Sequence, residues 1–350
     1  MAYEIDYLPV GNGESSGDAI ILRFGNLLGE RKEQTIVVID GGFKETGEQI
    51  IEHIRKYYST NIVDLVIATH LDRDHISGLY PILENLQVTH LLMHRPWEHA
   101  ENIKKLFVNK KITQSGLEEK IEKSLQQVVD LEDLALKKKV EIVEPFQGVK
   151  GYGMTVLGPS IDYYEKLIPL FDGTPQPIMI LEQLMGATKS ALESAIEWID
   201  DKFGIDLLNN DEEETSPENN TSAIVLFQID GHKLLFTGDA GKTALHLAAD
   251  YADSLGIPLT DLNFMDVPHH GSKHNISSKV LQRMKAPIAY VSASKEAPKH
   301  PAKKVTNGLN KIGARVFVTR GSILNFHHDT PVREGWVAAA EEPFYEKVEK

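Results

Sequence analysis

The 350 residues include no cysteine. Disulfides and thiolate metal sites are therefore excluded, and any metal must be held by His, Asp or Glu. Long apolar runs are missing as well. None approaches the roughly 20 residues that a bilayer-spanning helix needs. Residues 1–10 carry Glu4 and Asp6 where a secretory leader carries basic residues. The expectation is a cytoplasmic protein with no membrane attachment. Positive charge is scarce too: 37 Lys and Arg stand against 51 Asp and Glu, a formal net charge of −14. A chain this acidic repels polyanions, which argues against a long, sequence-blind grip on duplex DNA. It still permits a pocket that engages one phosphate through bound cations, because at short range a metal ion outweighs the carboxylates around it. What remains is ordinary globular composition, 41% hydrophobic and 25% charged, in a chain long enough for one large core or two modest ones.

Short apolar runs at residues 4–9, 19–24, 35–39 and 65–68 read as strands, with Gly11, Gly13, Gly25 and the Gly41-Gly42 pair supplying turns. Ile50, Ile51 and Ile54 recur at helical spacing, so a helix over 47–57 links the strand ending at Asp40 to the one ending at Thr69. Ser115-x-x-Glu118 has the form of a capping box, and Leu117, Ile121, Leu125, Val128 and Leu131 continue it as one long amphipathic helix. Residues 154–157 read as a strand and 180–199 as a second helical block. Residues 206–220, with an acidic run at 211–214, read as a solvated linker. A second β-rich half follows. Strands at 222–228 and 233–236 are joined by the hairpin signal Asp230-Gly231. Strands at 263–267, 288–291 and 315–318 then alternate with helices over 242–252, 277–284 and 302–311. The pattern predicts an α/β (α+β) fold of two sheets face to face with helices outside.

The chemistry concentrates at the end of the fourth strand. His70, Asp72, Asp74 and His75 place four metal-ligating side chains within six residues. Unpaired buried His and Asp cost several kcal/mol, a cost that a bound cation offsets. Alternation along an extended segment points His70, Asp72 and Asp74 the same way, with His75 following at the turn. Further polar signals each end an apolar strand: Asp40-Gly41-Gly42 before the cluster, Gly238-Asp239 after it, and His269-His270-Gly271-Ser272 later. Lys273 and His274 adjoin the last of these, and Lys295, Lys299 and His300 follow. Among the other histidines, His94 and His99 read as structural or rim residues and His232 as an exposed turn residue. His327-His328 reads as a surface pair able to supply a ligand, while His53 and His246 suggest nothing.

In that order, the motifs resemble those of the metallo-β-lactamase superfamily, whose fold is an αββα sandwich with metals at one edge of its two sheets. The resemblance is more specifically to the hydrolase domain of ComEC/Rec2-like DNA-uptake proteins. Asp72 stands where the superfamily's second motif histidine would, Asn220 and Ser222 precede the strand over 222–228, and His269-His270-Gly271-Ser272 is followed by Lys299-His300-Pro301. The resemblance implies a single domain over 1–350, with helical insertions near 97–138 and 160–218. It implies one metal subsite of Asp74, His75, Asp239 and one of His269 and His270, and a second of His70, Asp72 and bridging Asp239. Asp40 orients a ligand from behind. The superfamily's further histidine ligand is absent, its position holding residues 219–222, so the His70 subsite is short of one nitrogen.

These readings predict a phosphodiesterase or nuclease with one or two divalent ions, Zn or Mn. The oxygen-rich donor set raises the chance of Mn. A metal-activated water attacks phosphorus, with Asp72, Asp74 and His300 as catalytic groups. Ser272, Lys273, His274, Lys299 and Asn220 bind a phosphate-containing substrate, either single-stranded nucleic-acid ends or a small nucleotide. The rival reading is a degenerate site on a binding or scaffolding subunit that docks a protein partner through its helical insertion.

Overall fold

In the strand Gln34–Ile39, Ile36 and Val38 face one way, Val37 and Ile39 the other, and all four are buried. A strand apolar on both faces lies between two covering layers, and that layering governs the whole structure, a computed structural model describing residues 1–11, 13, 15–177, 198–208, 214–336 and 338–349. The first sheet contains β1 (Ala2–Tyr7), β2 (Ile20–Gly25), β3 (Gln34–Ile39), β4 (Ile62–Ile67), β5 (Gln87–Leu92) and β6 (Glu141–Val143). β1 to β3 are antiparallel and β3 to β6 parallel. The second sheet contains β7 (Lys150–Gly151), β8 (Met154–Gly158), β10 (Ile224–Ile229), β11 (His232–Phe236), β12 (Phe264–Asp266), β13 (Ile288–Val291) and β14 (Arg315–Val318). β11 to β14 are parallel. A late strand, β15 (Leu324–His328), returns to the first sheet and pairs antiparallel with β1.

Inward-facing residues of the two sheets, among them Tyr7, Ile39, Ile67, Phe227, Phe236 and Phe264, form a core between them. Helices cover both outer faces. On the first sheet lie α1 (Lys44–Tyr58), α2 (Arg73–Ile76), α3 (Leu79–Asn85), α4 (Ala100–Ile103), α5 (Gln114–Ser124), α6 (Gln126–Lys137) and α7 (Ile161–Leu167). On the second lie α8 (Lys242–Ser254), α9 (Ser278–Arg283) and α10 (Lys303–Lys311). The order is helix, sheet, sheet, helix, as the apolar patterning predicts. Among the described residues no helix is long and apolar enough to cross a membrane.

Several local expectations need correcting. The long helix is two: Leu125, at φ −117° and ψ 32°, breaks it between α5 and α6. Its cap is Thr113, whose hydroxyl accepts from Gly116 N at 3.0 Å, and Ser115 lies inside the helix. Of the helical block expected at 180–199, residues 180–197 lie outside the described residues, and Trp198–Asp200 is a strand, β9, paired with the terminal β16 (Lys347–Glu349). Residues 209–213 of the acidic stretch are likewise not described. Glu214 is docked: its carboxylate accepts from the N–H groups of Lys242 (3.1 Å) and Thr243 (3.3 Å), neutralising the positive end of α8.

A candidate metal centre

β3, β4, β11 and β12 all end at one edge of the sandwich. Asp40, His70, Asp239 and the His269-His270 pair are the residues just beyond those ends. Face-to-face packing of the sheets therefore brings together motifs far apart in the chain, on loops fixed by rigid strands. The His70–His75 segment is not extended as alternation predicted. Asp72 precedes a helical turn, α2, which carries Asp74 and His75. Gly238 is required here, at φ 49° and with a Cβ position only 2.6 Å from Thr69 Oγ1.

Asp239 is the hub. Its Oδ1 faces His75 Nε2 at 3.5 Å and His270 Nε2 at 3.9 Å. Its Oδ2 faces His70 Nε2 at 3.7 Å and His269 Nε2 at 3.5 Å. Asp72 Oδ2 stands 3.7 Å from His70 Nε2, and donor atoms of Asp74, His75 and His270 lie within 4.8 Å of one another. Behind the rings, every Nδ1 has a neighbour. His75 Nδ1 meets Asp40 Oδ2 at 2.8 Å, and His70 Nδ1 meets Thr69 Oγ1 at 3.1 Å. His269 Nδ1 meets Asn275 Oδ1 at 3.0 Å, and His270 Nδ1 lies 3.5 Å from Asp18 Oδ1 without a hydrogen bond between them. Asp40 also accepts from Thr69 N at 2.8 Å and Thr69 Oγ1 at 2.6 Å, so both its oxygens are spent on holding the motif.

These residues fit a metal. His70 Nε2, His75 Nε2, His270 Nε2 and Asp239 Oδ1 are all buried without a hydrogen-bond partner, which costs about 1–3 kcal/mol apiece unless something else satisfies them. Ligands held at roughly 2.0–2.2 Å by a tetrahedral ion stand about 3.3–3.6 Å apart, close to the spacings around Asp239. The charge balance agrees. Burial alone would raise the Asp239 carboxyl, but His269, His75, His270 and His70 together hold it well below the usual carboxylate range. Burial would depress the histidines. Asp239 and Asp40 instead hold His75 well above its ordinary value, and Asp239 and Asp18 push His270 up to about 9. For His70, burial and His75 lower the pKa, and Asp239 and Asp72 outweigh them and raise it. Carboxylates that hold protons on imidazoles offer the same charge to a cation.

Other singled-out residues lie elsewhere or face inward. Ser272 and Asn220 are buried, with Ser272 Oγ accepting from His274 N and Asn220 Nδ2 donating to Ser216 O. Lys273 and His274 are half-buried beside the pair, and Lys295 and Lys299 are exposed. His94 stacks on Tyr164 at 4.4 Å, and His99 bonds Glu165 at 2.9 Å. His328 lies with Asp230 and Asp329 at the opposite end of the sheets, so it supplies no ligand to the Asp239 centre. His232 is not fully exposed, since its Nδ1 meets Tyr3 OH at 2.8 Å. His300 does not open a helix: α10 begins at Lys303, and the N–H groups of Lys303 (3.0 Å) and Lys304 (3.2 Å) donate to Glu349. Asp18 and Asn275 also belong to the centre. Gly17-Asp18 was a readable signal, a second Gly-Asp pair flanking an apolar strand. A Cβ on Gly17 would stand 2.1 Å from Asp74 O, so only glycine lets this loop approach the metal motif.

No curated protein matches the chain. Among solved structures, it is similar to a metal-dependent hydrolase of the beta-lactamase superfamily, Tm1679, at 12% identity and TM-score 0.48, covering 93% of this chain and 98% of that one. It is also similar to a diphosphatase from the PhnP family, at 12% identity and TM-score 0.39, with 93% and 98% covered. A long-form RNase Z from yeast matches at 12% identity and TM-score 0.42, with 92% of this chain and 41% of that one covered. The sequence profile described as the Metallo-beta-lactamase superfamily matches residues 27–295, more than half of the chain and spanning every motif from Asp40 to His270. The chain therefore belongs to the metallo-β-lactamase superfamily.

Proposed function

We propose that the protein is a metal-dependent hydrolase of phosphodiesters, acting on single-stranded nucleic-acid ends or a small nucleotide. The observation that carries this reading is the placement of imidazole nitrogens against both oxygens of Asp239. A carboxylate flanked in this way suits two cations a few ångströms apart, an arrangement that clamps the attacking and leaving oxygens of a phosphoryl group. Asp74, His75, His270 and Asp239 would hold one ion; His70 and Asp72, with Asp239, would hold the other. Such ions supply Lewis acidity and a nucleophile at neutral pH. The resemblance of the motifs to ComEC/Rec2-like hydrolase domains supports phosphodiesters over the lactams and thioesters that the fold also accepts.

The chain's own groups do the positioning. Asp40 fixes the tautomer and tilt of His75, leaving Nε2 free to ligate, as a carboxylate behind a metal-bound histidine commonly does. The loop carrying Asp18 is tied across the centre, Ser292 Oγ donating to Gly17 O at 2.6 Å and Ser294 N to Ser16 Oγ at 3.0 Å. With several oxygen donors the centre suits Mn as well as Zn. Protein loaded with each metal should hydrolyse a chromogenic phosphodiester, single-stranded DNA, RNA or a cyclic nucleotide. Asp239→Ala should lose both metal and activity. A metal-replete protein inert on the whole panel would sink the reading.

A further inference from the structure

We propose that His269 is itself a resident metal ligand, giving the His70 side of Asp239 as many nitrogen donors as the His75 side. The proposal rests on the metal centre described above and not on its phosphodiester chemistry. Position is the first observation. His269 Nε2 stands 3.5 Å from Asp239 Oδ2, the oxygen that also faces His70, while His75 and His270 share Oδ1. Each side then has two imidazoles, one oxygen of Asp239, and one further carboxylate, Asp72 or Asp74. The subsite short of a nitrogen is completed from the loop after β12, by the residue next to His270 in the His-His pair.

The second observation is the hydrogen-bonding partner behind the ring. Asn275 is buried, and its Nδ2 donates to Asp239 O at 2.8 Å and Ala240 O at 3.3 Å, which fixes the amide with Oδ1 3.0 Å from His269 Nδ1. An amide oxygen only accepts, so this contact favours a hydrogen on Nδ1 and leaves Nε2, the nitrogen that faces Asp239, as the ligating one. Asn219 Nδ2, 3.2 Å from the same nitrogen, gives one of its two hydrogens to Thr215 Oγ1 at 2.9 Å and is a competing donor for Nδ1; the Asn275 contact is the shorter of the two. A lone pair aimed at a carboxylate oxygen is repulsive, and a cation between the two converts repulsion into coordination. His70 is set the same way. Thr69 Oγ1 donates to Asp40 at 2.6 Å, so it accepts from His70 Nδ1, which turns that ring's Nε2 toward Asp239 and Asp72.

The third observation is backbone strain. His269 and His270 are both left-handed, at φ 48° and φ 54°, a conformation that costs non-glycine residues about 1–3 kcal/mol each. An extended pair would send its side chains to opposite faces, and only one ring would reach Asp239. The double left-handed turn is what brings both rings to the one carboxylate, against different oxygens.

The test counts metal. Full-length protein stripped with chelator and reloaded with Co(II) should bind two ions per chain by elemental analysis. His269→Ala should bind one, with its circular dichroism unchanged, and His270→Ala should keep the other. If the variants misfold, the wild type still decides. Proton NMR of the Co(II) form should show four strongly shifted, exchangeable Nδ1–H signals, one for each ligating ring. Three such signals, or a folded His269→Ala protein that binds both ions with undiminished affinity, would overturn the assignment. Because the readout is metal content, failure to hydrolyse phosphodiesters would remove the function proposed above and not this ligand.

Discussion

His300 sits against the metal centre without joining it. Its ring stacks on His269 with centroids 5.7 Å apart and planes 27° apart, and its Nδ1 is buried with no partner. Burial, then His270 and His269, push its pKa down to about 3. The ring is therefore neutral near pH 7, a hydrogen-bond donor and not an imidazolium acid. The helix terminus expected to assist it is already occupied by Glu349. A fixed donor at a developing charge is worth about 10²–10³ in rate. His300→Ala should lower turnover of a chromogenic phosphodiester by that factor and leave bound metal unchanged. Loss of an ion would make His300 a ligand, and full turnover would remove it from the site.

Among the elements, β1 and the segment after β15 are joined by a buried charge network that local patterns do not reveal. Asp6, fully buried on the outer face of β1, accepts from Tyr58 OH at 2.6 Å and pairs with His53 Nε2 at 2.8 Å, both on α1. Arg333 reaches the same carboxylate, pairs with Glu4 at 3.3 Å, and lies over Tyr57 at 4.4 Å. Helical spacing around His53 showed only that it lies on a helix. Its partner on β1 follows from α1 packing across the first sheet. Breaking a buried pair from one side costs about 3–5 kcal/mol, so Arg333→Ala should lower the free energy of unfolding by up to that much. Burial alone would raise the Asp6 carboxyl, but His53 and Arg333 hold it below its unfolded value. Its stabilisation is thus present above the unfolded pKa of about 3.9 and is lost as pH falls through the lower folded value. The stability gap between wild type and Asp6→Asn, measured by urea unfolding, should be constant from pH 7 to 5 and narrow below pH 4. A constant gap down to pH 2 would contradict the network.

For the whole molecule, a net charge of −14 sets how substrate is met. Long duplex binding needs many phosphate contacts. The basic residues near the centre are few: Lys273, after β12, is half-buried, and Arg73 on α2 and Lys295 and Lys299, after β13, are exposed. Chelator-treated protein should show no length-dependent affinity for duplex DNA at about 0.15 M salt, and retention of short single strands should require added metal. Tight duplex binding that grows with length in the metal-free protein would overturn this account.

The sequence by itself determined the layers and marked most of the candidate donors. Strands buried on both faces are apolar at most positions, and His70 to His75 are neighbours in the chain, so both features are written locally. Gly-Asp and His-His pairs at strand ends were legible for the same reason. Only the tertiary structure decided which atoms meet. Asp18 joins the centre because its loop is tied to residues 292 and 294, and β15 completes the first sheet from the far end of the chain. That His269 and His270 face different oxygens of Asp239 depends on two strained backbone angles and on the stacking of two sheets. No spacing along the chain encodes either, because both are set by packing between segments that the sequence holds far apart.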